Sequence, residues 1–151
     1  GDADRFRRFL VGELKPTVDA AFRTNGTDGL IGESLAGYFV VDVALRHPGD
    51  FDRYIAVSPS LWWDRESLSR RAAELLATRR APRTLWLSIA DEGGAMQAAM
   101  DRVVATLRAH GEASGIRWTY VPFPNERHAT VYHPAATQAI RAVFPAPPDP
   151  R

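Results

Sequence analysis

Apolar residues recur along this chain in two alternating rhythms. Short, nearly continuous apolar runs of strand length alternate with longer stretches spaced at three and four, the period of a helix with one buried side. Asp4 followed by Phe6, Phe9, Leu10 and Leu14 predicts a capped amphipathic helix. Pro16 should end or bend it, with Val18, Ala21 and Phe22 in a second turn or a continuation. A polar loop from Arg23 to Gly29 leads to a short apolar run, Leu30-Ile31, that ends at Gly32. A helix is expected from Leu35 to about Arg46, stopping before Pro48. Further strands are expected at Tyr54–Ser58, Thr84–Ala90 and Ile116–Phe123, and further helices at Arg65–Thr78, Ala95–His110 and Pro134–Phe144. Gly111 is a natural stop for the second of these helices, and the tail from Pro145 is too proline-rich to continue the last.

The order is thus one helix followed by four strand–helix repeats. Mostly apolar strands alternating with helices predict an α/β fold: a parallel sheet of about four strands with helices on both faces. With no internal repeat and no linker, residues 1–151 read as one domain. The 151 residues, 45% hydrophobic and 25% charged, suffice for one soluble core. A net charge of +1 argues against nucleic-acid binding through a basic face. The densest basic run, Arg79-Arg80-Ala81-Pro82-Arg83, reads as a helix C-terminus. Without cysteine there are no disulfides, no thiol catalysis and no thiolate metal site, and no other pattern requires a metal or cofactor. No apolar run reaches membrane-spanning length, and no signal peptide is visible. Both a cytoplasmic and an exported location stay open, because the chain opens on Gly1 and its natural start is expected to lie elsewhere.

Chemistry concentrates around Gly32-Glu33-Ser34-Leu35-Ala36-Gly37. A strand, a serine two places after a glycine, and small residues opening a helix make the pattern of a nucleophile elbow, G-x-S-x-G with Ala36 in place of the last glycine. Bulk two residues before or after Ser34 would collide with helix or strand. A serine at a plain helix N-cap is the competing interpretation. An elbow serine needs a base and a group that orients the base, on later strand ends in the order serine, acid, histidine. Asp91-Glu92-Gly93-Gly94 follows the third strand and Glu126-Arg127-His128 the fourth. His128 is the expected base, with His133 as a rival base or substrate contact; His47 and His110 sit at helix ends. Glu92 is preferred to Asp91 as the acid, since neighbours on an extended loop face opposite ways and one alone should reach the imidazole. Asp91 is the alternative acid, and Glu126 a more constrained one. The Leu35 amide would supply one oxyanion donor. After the second strand, Ser58-Pro59-Ser60-Leu61-Trp62-Trp63 offers paired tryptophans, which either line a substrate pocket or anchor the loop.

Together these motifs resemble the putative-esterase family of α/β-hydrolases, which includes esterase D and the enterochelin (siderophore) esterases. The Ser-Pro-Ser-Leu-Trp-Trp run is its most specific element and is similar to the siderophore-esterase branch. The resemblance implies a serine esterase with Ser34 as nucleophile, His128 as base and Glu92 as acid, acting on small-molecule esters, siderophore-like or aromatic. It also implies that the chain is comparable to the C-terminal half of the α/β-hydrolase fold, truncated before the early strands and the loop that gives the second oxyanion donor. The Leu30-Ile31 strand would then be an open edge, covered by a partner chain, by self-association or by the rest of a longer protein. Two other functions stay open. One is acyl transfer, which the family also contains, and the other is a non-catalytic half-domain that binds a partner or ligand. A nucleotide-binding α/β domain is weaker, because no G-x-G-x-x-G or Walker lysine follows the first strand.

Overall fold

A computed structural model describes residues 2–77 and 80–145. Four strands, β1 (Gly29–Glu33), β2 (Arg53–Val57), β3 (Arg83–Ala90) and β4 (Ile116–Phe123), form one parallel sheet in the order β1-β2-β3-β4. Successive side chains of a strand point to opposite faces, so both faces need apolar cover; the inner strands β2 and β3 are buried almost throughout, while edge strand β4 keeps exposed Arg117 and Thr119 in alternation. In β2, Tyr54 and Ala56 join the core cluster that holds Val41, Leu45, Leu68 and Met100, whereas Ile55 and Val57 join Trp86, Val131, Ala135 and Ala139 on the other face. The first cluster lies under α3 (Ser34–Arg46), α4 (Trp63–Leu76) and α5 (Gly94–His110), the second under α6 (Tyr132–Val143). Helices therefore cover both faces, as the rhythm of the sequence predicts.

β1 pairs with β2 alone and forms one edge of the sheet. Ile31 shares its register position with Ile55, and so points to the α6 face, yet it stays 38% exposed because α6 packs over β2 and β3. A bare apolar side chain on an unpaired edge is the feature expected of the Leu30-Ile31 strand.

Of the outcomes left open at Pro16 the chain takes the continuation, and two other local expectations change. α1 (Ala3–Phe9) passes through a wider π-helical turn at Leu10–Leu14 into α2 (Lys15–Ala21). Proline sits near the start of α2, and a widened turn just before it removes the need for the N–H that proline lacks. Asp4 lies inside α1, where it pairs with Arg7 and Arg8 rather than capping. Of this helix's apolar side only Leu10 is buried, while Phe6, Phe9, Leu14 and Val18 remain exposed. Arg65 and Glu66, expected to open a regular helix, have positive φ instead (52° and 61°), as does Asp64 before them (48°), making a left-handed turn ahead of α4's regular part.

The basic run also has another destination. Thr78 and Arg79 lie outside the described residues, as does the tail from 146 to 151. Arg83 opens β3 and is buried, donating from Nε to the Ala44 carbonyl at 2.7 Å and from Nη1 to Ala81 and Ser114. Arg80 reaches the Arg46 carbonyl. The cations thus serve a helix C-terminus, that of α3 rather than the preceding helix, where free carbonyls and the dipole favour positive charge. Burial pushes the Arg83 guanidinium down to about 10, so it stays charged near neutrality. Arg83→Ala is expected to cost about 3 kcal/mol by urea unfolding, since buried carbonyls lose a charged donor. Arg83→Lys should recover only part, lacking the planar fork.

Candidate active site

All the chemistry-bearing loops leave the carboxyl ends of the strands, the rim where open α/β sheets hold their sites. Ser34 begins α3 with φ at 57°, a left-handed conformation that costs a residue with a Cβ and persists only when its surroundings enforce it. Enforcement comes from close packing of strand on helix. A Cβ at Gly32 would stand 2.6 Å from the backbone carbon and oxygen of Ala36, and one at Gly37 would stand 3.1 Å from the Gly32 and Val57 oxygens. Leu35, the second residue of α3, carries one of the N–H groups that a helix start leaves without an internal partner.

The end of β2 braces the same corner. Ser58, fully buried with φ at 40°, donates its N–H to the Ser88 carbonyl and accepts at Oγ from the Ala90 N–H at 3.1 Å. Ser60 then turns back to Ser34: its N–H donates to the Ser34 carbonyl at 2.9 Å, and the two Oγ atoms lie 3.2 Å apart.

The acid and histidine loops are also tied together, through Asp91 N–H donating to the Glu126 carbonyl at 2.9 Å. His128 Nδ1 and Glu92 Oε1 are 3.1 Å apart, the carboxylate being 6% exposed and the imidazole 44%. Glu92 Oε2 is buried with no partner among the described residues. Glu126, the constrained rival, accepts instead from the Thr130 hydroxyl at 2.5 Å. Asp91 is exposed beside Glu92, with no hydrogen bond to the imidazole. With Nδ1 engaged, Nε2 is the ring nitrogen left for chemistry.

These groups line one open cavity of about 360 Å³. Ser34, Ser60 and Trp62 line it together with Glu92, Met96 and His128, and Asp91 and Arg127 complete the lining. Ser34 and His128 thus share a cavity, although the Ser34 hydroxyl pairs with Ser60 and not with the imidazole. Trp62 packs edge-on against Trp63 at 5.8 Å, and Trp63 lies in an adjoining hollow with Asp64 and Arg65. His133 stands apart: it lines a separate cavity along α6 with Pro134, Thr137 and Arg141. Ser60, Met96 and Arg127 line this cavity without having been singled out for the site by sequence reasoning. The Ser60 motif was visible, but no local pattern could reveal which side chain it would meet.

No cluster of three or more His, Cys, Asp or Glu suited to a metal ion occurs among the described residues. No helix of the described residues is long and apolar enough to cross a membrane.

Known proteins share this fold. The chain is 28% identical to the ferri-bacillibactin esterase BesA of Bacillus subtilis over 148 residues, 93% of this chain and 51% of that protein. It superposes with a TM-score of 0.83 on an IroE-like serine hydrolase from Shewanella oneidensis (26% identity, 95% of this chain and 48% of that one). The BES protein from Bacillus cereus gives the same score at 23% identity, over 93% of this chain and 54% of that one. The chain therefore spans about half the length of the relatives it matches. The model of the family described as putative esterase matches residues 1–114, a span holding the Ser34 turn, the Ser60-Trp62 loop and Glu92. On that match and that fold, the chain belongs to the putative-esterase family.

Proposed function

We propose that the protein is a serine carboxylesterase-type hydrolase in which Ser34 attacks the ester carbonyl, His128 relays the proton and Glu92 orients the imidazole. The observation that carries this reading is the 3.1 Å contact between His128 Nδ1 and Glu92 within the cavity that also holds Ser34 on its positive-φ turn. Nδ1 bound to a carboxylate fixes the tautomer that leaves Nε2 free to accept the serine proton, and stabilises the imidazolium that follows. The Leu35 N–H faces the charge growing on the carbonyl oxygen. Hydrogen bonds between catalytic groups commonly tighten only when substrate is bound, so the Ser34–Ser60 pairing fits a resting site.

Trp62 gives one wall an aromatic surface, suited to an aryl or catechol-bearing acyl group. The siderophore esterases among its relatives support the same class, siderophore-like or aromatic esters. Polypeptide pairing with the open edge of β1, from the same protein or a second chain, is part of this reading and would carry the second oxyanion donor.

A fluorophosphonate probe tests it in the full-length gene product. Mass added at Ser34, abolished in Ser34→Ala, is the expected result. A folded sample that takes no label while still binding a partner or ligand would leave the non-catalytic reading, and a 4-nitrophenyl ester whose acyl group passes to an added sugar hydroxyl faster than to water would make it an acyltransferase.

A further inference from the structure

Serine hydrolases need hydrogen-bond donors aimed at atoms that gain charge, and this chain holds one beyond the Leu35 amide. Ser60 is 3% exposed, its N–H is fixed on the Ser34 carbonyl at 2.9 Å, and its Oγ lies 3.2 Å from Ser34 Oγ. Among the described residues Ser34 Oγ is the one hydrogen-bond partner of that hydroxyl. Resting on the esterase reading above, we propose that Ser60 is a further catalytic residue: its hydroxyl donates to the nucleophilic oxygen of Ser34.

The direction of donation follows from proton bookkeeping. Each hydroxyl has one proton to give. If Ser34 gave its own to Ser60, His128 would have none to take. With Ser60 as donor, the Ser34 proton is free to pass to Nε2 while Oγ forms its bond to the carbonyl carbon and the carbonyl π pair moves to oxygen. The bond to the leaving alcohol then breaks, and that oxygen takes the proton from the imidazolium. In the second half, water adds to the acyl group and gives a proton to His128. The bond from carbon to Ser34 Oγ breaks, the electron pair returns to Oγ, and the imidazolium proton follows. Ser60 keeps its own proton throughout. Its donation is strongest when Oγ carries most charge, as it begins attack and as it departs, so it acts on transition states more than on bound substrate.

The buried backbone tie makes the geometry rigid. Ser60 follows Pro59 by one residue and the strained Ser58 by two, and Ser58 is itself locked to β3 through Ala90 N–H. A hydroxyl on such a support needs no reorganisation to meet the charge.

The test uses Ser60→Ala and Ser60→Gly, which delete the hydroxyl but keep the backbone bond to Ser34, and Ser60→Thr, which retains a hydroxyl. In the full-length gene product, the second-order rate of fluorophosphonate labelling at Ser34 and kcat on a 4-nitrophenyl ester are measured beside the thermal midpoint. Either deletion that keeps the wild-type midpoint is expected to lower both rates about tenfold, the worth of one neutral hydrogen bond, with KM within about twofold. Threonine should restore most of the loss. Labelling within twofold of wild type in a folded deletion variant overturns the proposal, as does a loss that appears only in KM or that threonine shares in full. Wild-type protein that takes no label at Ser34 would instead remove the esterase reading itself, and this role with it.

Discussion

His128→Ala is expected to lower kcat on an aryl ester about 10⁶-fold, and Glu92→Gln about 10⁴-fold, each with little change in KM. The two losses differ because the residues do different work. Without the imidazole the cavity keeps only the carboxylates of Glu92 and Asp91 as bases, and a carboxylate is ordinarily a weaker base than imidazole. With Gln at 92 the imidazole survives, but an amide N–H facing Nδ1 favours the tautomer with the proton on Nε2, where it cannot accept. Adding Ser34→Ala to His128→Ala should cost almost nothing more, since the residues act as one unit. Steady-state kinetics on the single and double variants checks this, and an additive double variant, or a His128→Ala enzyme with a tenth of its activity, would break the assignment.

The second large effect concerns shape. Gly32→Ala should destabilise the fold by about 3 kcal/mol, because its methyl meets backbone atoms of Ala36 at 2.6 Å and no flexible side chain can yield. The strain falls on the joint that holds Ser34 at φ 57°, so fluorophosphonate labelling should fall with it. Gly12→Ala is the matched control: nothing lies within 4 Å of a Cβ there, and alanine in a helical segment should add about 0.5–1 kcal/mol. Denaturant midpoints of the pair separate close contact from mere loss of glycine. Equal, small effects at both positions would mean that the elbow does not depend on the Gly32–Ala36 approach.

That contrast shows which parts of the molecule were legible in advance. Strand and helix order, the parallel sheet and the crowded turn at Gly32-Glu33-Ser34 are local matters, decided by side-chain period and by atoms a few residues apart. The alternation of neighbours implied that one of Asp91 and Glu92 should reach the imidazole, and the fold sets Glu92 against Nδ1 of His128. Element ends moved by a few residues where a tertiary contact outweighed propensity. The helix ran on through Pro16 across a widened turn, and Glu66, drawn to Arg102 at 2.8 Å, belongs to a left-handed turn that no helical spacing would suggest.

By itself, then, the amino-acid order determined the family, the layered sheet and a set of candidate residues for ester chemistry, because each motif is written in a pattern shorter than one strand–helix repeat. Only the folded molecule decided that Ser60 meets Ser34, that Arg83 closes α3, that Glu126 turns to Thr130 and that His133 lies in another cavity. Such pairings join residues that the sheet brings together or keeps apart, and strand order and register, not proximity along the chain, set their distances.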